Sequence, residues 1–114
     1  MPEPTLTAVF GANAVQDIST LTISKTDLVA VGLTAAANNS AEALLTAIVK
    51  LASGTLSEEN RDSNIDQSVA VVQSTIPSFT SRINGTTTET YIRDTFSVEL
   101  DKAYTATAID PDDY

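Results

Sequence analysis

The 114-residue chain contains no cysteine, no histidine and no tryptophan. Each absence removes a class of chemistry. Without imidazole or thiol there is no Ser-His-Asp or Cys-His nucleophilic machinery, no zinc site built on nitrogen or sulfur, and no disulfide, haem or iron–sulfur ligation. Cations are scarce too, since three Lys and three Arg against 15 acids leave a formal charge of -9. That charge repels phosphate backbones and anionic lipid, and the six cations form no array, so neither nucleic-acid nor membrane binding is expected. No apolar run approaches the roughly 18 residues of a membrane span. The opening Met1-Pro2-Glu3-Pro4 has neither the basic nor the apolar segment of a secretory signal, so synthesis in the cytoplasm is expected. Gly11, Gly32, Gly54 and Gly85 are too dispersed to cradle a phosphate.

Apolar residues, at 42%, suffice for a core, and charged residues, at 18%, fall below the ~25% usual in soluble domains. Hydroxyls fill the gap, with 17 Thr and 11 Ser, and the excess of Thr favours β structure. The length suits one domain spanning 1–114 that buries roughly two thirds of its unfolded surface. The expected fold is α+β: mainly antiparallel β sheet or sandwich with one amphipathic helix, about residues 40–52, packed on it. Segment 1–5 and the acidic segment 105–114 are expected as extended arms.

The residues behind this reading run as follows. Leu6, Val9 and Phe10, then Leu21 and Ile23 among Thr20, Thr22 and Ser24, look like short strands, with Ser24-Lys25-Thr26-Asp27 as a hairpin turn or the start of one helical turn; the hairpin is favoured. In the helix, Ala41, Leu44, Leu45, Ile48 and Ala52 make one apolar stripe at helical period. Asn39 is the expected N-cap, with Glu42 completing a capping box and Ser40 as the competing cap. Gly54 stands where the residue after a helix belongs. The charged run 55–67 reads as a solvated connection, and uncharged 68–81 as buried strand interrupted near Pro77.

Asn84-Gly85 is a strong type I′ hairpin signal. The strand after it alternates cleanly, with Thr88, Thr90, Ile92, Asp94, Phe96, Val98 and Leu100 on one parity and polar residues on the other. A two-residue Asn84-Gly85 loop sets Ile83 against Thr86 and Phe79 against Thr90, which puts Phe79 and Ile83 on the face of Ile92 and Arg82 diagonal to Glu89 as an ion pair.

Candidate sites are few. Asp62, Asn64 and Asp66 place oxygens at positions 1, 3 and 5 of an EF-hand-like loop, but Gln67 and Gln73 stand where Gly and a bidentate Glu belong, so no metal or other cofactor is expected and a solvated acidic loop is the commoner reading. Asp110, Pro111, Asp112, Asp113 and Tyr114 form an acidic tail suited to partner contact or to solubility. Asp94, an acid on an apolar face, has the placement of a perturbed carboxylate but also that of an ordinary strand irregularity. Nothing in the spacing positions any two acids as a catalytic pair, and an enzyme is not expected.

The stretch Ser19 to Leu51, with Leu-Thr-Ile-Ser-Lys-Thr-Asp-Leu and Asn-Asn-Ser-Ala-Glu-Ala-Leu-Leu, the run Asn84 to Leu100, and the closing Asp-Pro-Asp-Asp-Tyr resemble a group of short uncharacterised proteins of cyanobacteria and their tailed phages. The resemblance implies a virion component. On that footing the expected function is a capsid decoration (cement) protein, with a tail or neck component as the alternative. Its partners would be copies of itself and other virion proteins such as the major capsid protein. The reading from another class is a free cytoplasmic acidic module that binds calcium or a protein through 58–66.

Overall fold

The computed structural model describes residues 2–104 and 111–113. The chain adopts the expected α+β architecture. In order, the elements are α1 (Leu6–Phe10), β1 (Val15–Gln16), β2 (Leu21–Thr22), α2 (Lys25–Leu28), a 3-10 turn (Val29–Val31), α3 (Ala41–Thr55), α4 (Glu58–Ser63), β3 (Val69–Gln73), β4 (Ser78–Asn84), β5 (Thr87–Arg93), β6 (Phe96–Leu100) and a 3-10 turn (Pro111–Asp113). Strands pair as three antiparallel two-stranded ladders, β1 with β2, β3 with β6 and β4 with β5, and no sandwich forms among the described residues.

Helix α3 is the organising element. Ser40 wins the competition for its N-cap, because its hydroxyl accepts the Ala43 N–H at 3.1 Å, while Asn39 turns away to accept from the Ala36 N–H and donate to the Thr34 carbonyl. The helix runs through Gly54 to Thr55 and ends at Leu56, so Gly54 is an interior residue without positive φ. Of the expected stripe, Ala52 is buried, Leu44 and Ile48 are half-buried, and Ala41 and Leu45 are exposed; Ala47 joins the buried side.

Three short helices stand where the sequence suggested strands or a loop. Each has a hydroxyl cap. Thr5 caps α1, Ser24 caps α2 and Ser57 caps α4, each accepting an N–H of the first turn. Segment 24–27 therefore takes its helical alternative, and part of 55–67 becomes α4 instead of a plain connection. Helix α1 ends at Gly11, whose φ of 108° is open to glycine, and an added Cβ there would sit 2.5 Å from the Asp27 side chain. That close approach lets the Asp27 carboxylate accept both the backbone and side-chain N–H of Asn13, tying α1 to α2. Helices α1 and α2, and strand β3, all pack on α3.

The core is shallow. Its buried apolar members are Val9, Ala14, Leu28, Ala47, Ala52, Ala70 and Val71, four of them alanines. The accessible surface is 8866 Å², where a compact monomer of this mass has ~6,000 Å². The radius of gyration is 19.4 Å, against ~13 Å for a compact domain of this length.

Strands β3 and β4 on one side, and β5 and β6 on the other, make a single long ribbon. Its base, β3 with β6, is held against α3 and α4, and the Leu56 carbonyl accepts the Val71 N–H at 2.7 Å. Its tip, β4 with β5, projects as seven cross-strand pairs from Ser78↔Arg93 to Asn84↔Thr87, a length of about 23 Å at ~3.3 Å per residue. No described helix packs substantially on it. Between base and tip, Gln73 pairs with Phe96 and Ser78 with Arg93, so residues 74–77 face only Asp94 and Thr95. This local excess, at Pro77, interrupts the strand where the sequence suggested and also breaks the long second strand at 94–95. Burial within 68–81 is narrower than expected: Ala70 and Val71 are buried and Val69 and Val72 half-buried, but the stretch from Gln73 to Phe79 is exposed.

The hairpin register differs by two residues from the expected one. The loop is Gly85-Thr86, with positive φ at Gly85 alone, the sign pattern of a type II′ turn, and Asn84 stays in the strand. A type II′ turn takes glycine at its first central position, which displaces the loop by one residue and each cross-strand partner by two. Parity survives a shift of two, so Phe79, Ile83 and Ile92 still share a face, and Phe79 lies directly opposite Ile92.

Candidate functional site

The arm tip has two unlike faces. On one lie Phe79, Ile83 and Ile92, respectively 73%, 79% and 60% exposed, among Ser81, Thr88 and Thr90. The other carries Thr80, Arg82, Glu89, Tyr91 and Arg93. Arg82 lies opposite Glu89, yet its guanidinium sits over the Tyr91 ring at 5.0 Å from the centroid, while the Glu89 carboxylate accepts the Tyr91 hydroxyl at 2.9 Å. The cross-strand ion pair read from the sequence is thus replaced by a cation–π contact and a hydrogen bond. Apolar exposure continues down the ribbon through Val98 and Leu100 on β6. A two-stranded ribbon with neither face covered is marginal in water by itself.

The base is locked by Arg61, whose side chain is largely covered. Glu58, Asp62, Glu99 and Asp101 all place carboxylate oxygens within 4.0 Å of its guanidinium. The hydrogen bond to Glu99, foremost, holds Arg61 even more firmly protonated than usual. One cation among four carboxylates ties α4 to β6 and leaves a local surplus of negative charge. Sequence reading missed this hub, of which only Glu58, three residues before Arg61, stands at helical spacing.

The sequence candidates fall as follows. Asp62 lies in α4 beside Arg61, which donates to it at 3.3 Å. Asn64 is buried after α4, donating to the Pro2 carbonyl at 3.0 Å and accepting the Asp66 N–H at 3.1 Å, so its amide ties the N-terminal segment to the α4–β3 link. Asp66 supplies its backbone to that turn and its side chain is exposed. Among the described residues no group of three or more acids is gathered as metal ligands. Asp94 is exposed at the ribbon's break, beside a hollow of about 440 Å³ lined by Leu45, Thr46, Val49 and Phe96. Of the tail, Pro111, Asp112 and Asp113 form a 3-10 turn with Pro111 and Asp112 exposed, while Asp110 and Tyr114 lie outside the described residues.

No helix among the described residues is long and apolar enough to cross a membrane. What the arrangement offers chemically is contact: an amphipathic ribbon, an acid-rich base and hydroxyl-lined surfaces. No family model matches the chain, and no curated protein or solved structure shows significant similarity to it.

Proposed function

We propose that the chain is a structural protein of a phage particle, a capsid decoration (cement) protein that acts without catalysis, through protein–protein contacts, as a homo-oligomer. The observation that supports this reading is the projecting ribbon, whose apolar face no other part of the described chain covers. Unpartnered apolar surface on a soluble chain marks a contact site. The hydroxyl-rich remainder suits extended contact as well, because Ser and Thr are desolvated at far less cost than charges. The particle assignment rests on the resemblance of 19–51 and 84–100 to short phage and cyanobacterial proteins. Cohesion would then arise from many copies, each burying a modest area of the order of 800 Å² per partner.

The test is quantitative mass spectrometry of purified particles together with rebinding of the recombinant chain to particles that lack it. Stoichiometric copies, and saturable rebinding, are expected. A chain abundant in infected-cell lysate but missing from purified particles contradicts the reading.

A further inference from the structure

The ribbon has two borders. Strands β3 and β4 form one and β5 and β6 the other; the β3 stretch is occupied by Leu56 and the helices, whereas among the described residues no strand flanks β4, β5 or β6 on its outer side. Open strand edges are templates for another strand. The side-chain patterns of β4 and β6 decide which edges match. Strand β4 alternates Phe79, Ser81 and Ile83 with Thr80 and Arg82, and its one charge is a cation. Strand β6 alternates Phe96, Val98 and Leu100 with Ser97 and Glu99, and its one charge is an anion. Both repeat every two residues, so any register that sets Arg82 beside Glu99 also sets Ile83 beside Val98 or Leu100. Self-pairing of β4 or of β6 offers neither strand an opposite charge, and the antiparallel self-pairing of β5 that sets Glu89 against Arg93 puts Ile92 against Thr90 and so leaves no apolar pair on that face. The pieces are accessible for this, with Val98 60% and Leu100 74% exposed and one Glu99 oxygen left beyond its bond to Arg61. Net charge agrees: segment 78–93 holds two Arg and one Glu, in a chain whose total is -9.

From this the geometry points to a second copy of the same chain as the arm's occupant, with the outer edge of β4 from one copy adding to the outer edge of β6 of the next. This rests on the homo-oligomeric reading above and names its interface. It also fixes the symmetry class. Because β4 and β6 lie on opposite borders, each copy has one donor edge and one acceptor edge, so contacts run head to tail and generate a ring or a filament, not a two-fold dimer.

Sedimentation of the full chain and of Ile83→Asp and Val98→Asp variants tests it. Both positions are exposed, and far-UV circular dichroism checks that each variant keeps its fold; Ile83→Thr and Val98→Thr, which retain strand preference, serve as milder versions. The wild type is expected above the mass of one 12.0 kDa chain, and each Asp variant at that mass. A 1:1 mixture of the two Asp variants is expected to form a two-chain species and stop there, since one intact β6 edge meets one intact β4 edge and the other ends are blocked. Variants that assemble like the wild type, or a mixture of folded variants that stays single-chained, overturn the inference. If the wild type is itself single-chained at every concentration the inference also falls, while presence or absence in purified particles separately decides the wider reading.

Discussion

The helical body and the ribbon tip differ in where they put their apolar side chains, and they are stabilised in opposite ways. In the body, each short element is capped and cross-tied: Thr55 donates its hydroxyl to the Ala8 carbonyl, Lys50 reaches the Val31 carbonyl at 2.8 Å, and Asp27 clamps Asn13. Its small apolar core needs these ties, because alanines contribute little buried area. The tip has Phe, Tyr and two Ile, richer apolar content than most of the body core, and leaves it in water. The chain thus leaves Phe79, Ile83 and Ile92 exposed on the arm while four of the seven apolar residues buried in its interior are alanines. The two regions are therefore expected to respond differently to substitution.

The largest effect belongs to Leu28, the most deeply buried large side chain at 2% exposure. Leu28→Ala is expected to cost about 2–5 kcal/mol of folding stability, read as a lower urea midpoint at unchanged slope. Asn64→Ala comes next. It leaves the Pro2 carbonyl and the Asp66 N–H without their partner, and should cost about 1–3 kcal/mol by the same measurement. A pH effect follows at the β1–β2 turn, where the Ser19 and Thr20 backbone N–H groups, both at 2.8 Å, hold the Asp17 carboxyl below its ordinary value. A depressed folded-state pKa stabilises above the ordinary carboxylate range, and the contribution is lost as pH falls through the folded value. The melting-temperature gap between wild type and Asp17→Asn should thus close as the pH is taken from neutral to below that range. Phe79→Ser should change the single-chain stability least, by no more than about 0.5 kcal/mol, while weakening assembly; a large loss of stability in the separated chain would show that the tip belongs to the body's folding unit.

The same contrast explains what the sequence revealed. Helix α3 was legible because its apolar period is local, although its cap fell to Ser40 and not to the favoured Asn39, and the helix runs past Gly54 to Thr55. The alternation from Thr88 to Leu100 was legible too, and it kept Phe79, Ile83 and Ile92 on one face even where the loop and register differed by two, but that face, expected to be half-buried, is exposed. What it could not reveal was that Asp94-Thr95 divides that strand, since the division arises from the four residues 74–77 opposing two, a relation between distant segments. Helices α1 and α4 were missed, and α2 was read only as the less favoured alternative to a hairpin, because four to six residues carry too little periodicity, though their Thr and Ser caps were present. Among the sites, Asp62, Asn64 and Asp66 stand out by spacing alone, whereas the full Arg61 hub and the β4 and β6 edges exist only once the ribbon is paired.

The most direct measurement is backbone hydrogen exchange across Ser78–Asn84 and Phe96–Leu100 as concentration is varied. Assembly through these edges predicts amides in both segments that exchange quickly in the dilute single chain and become protected together in the assembled state, while α3 stays protected throughout. Equal exchange of both segments in the two states would contradict it.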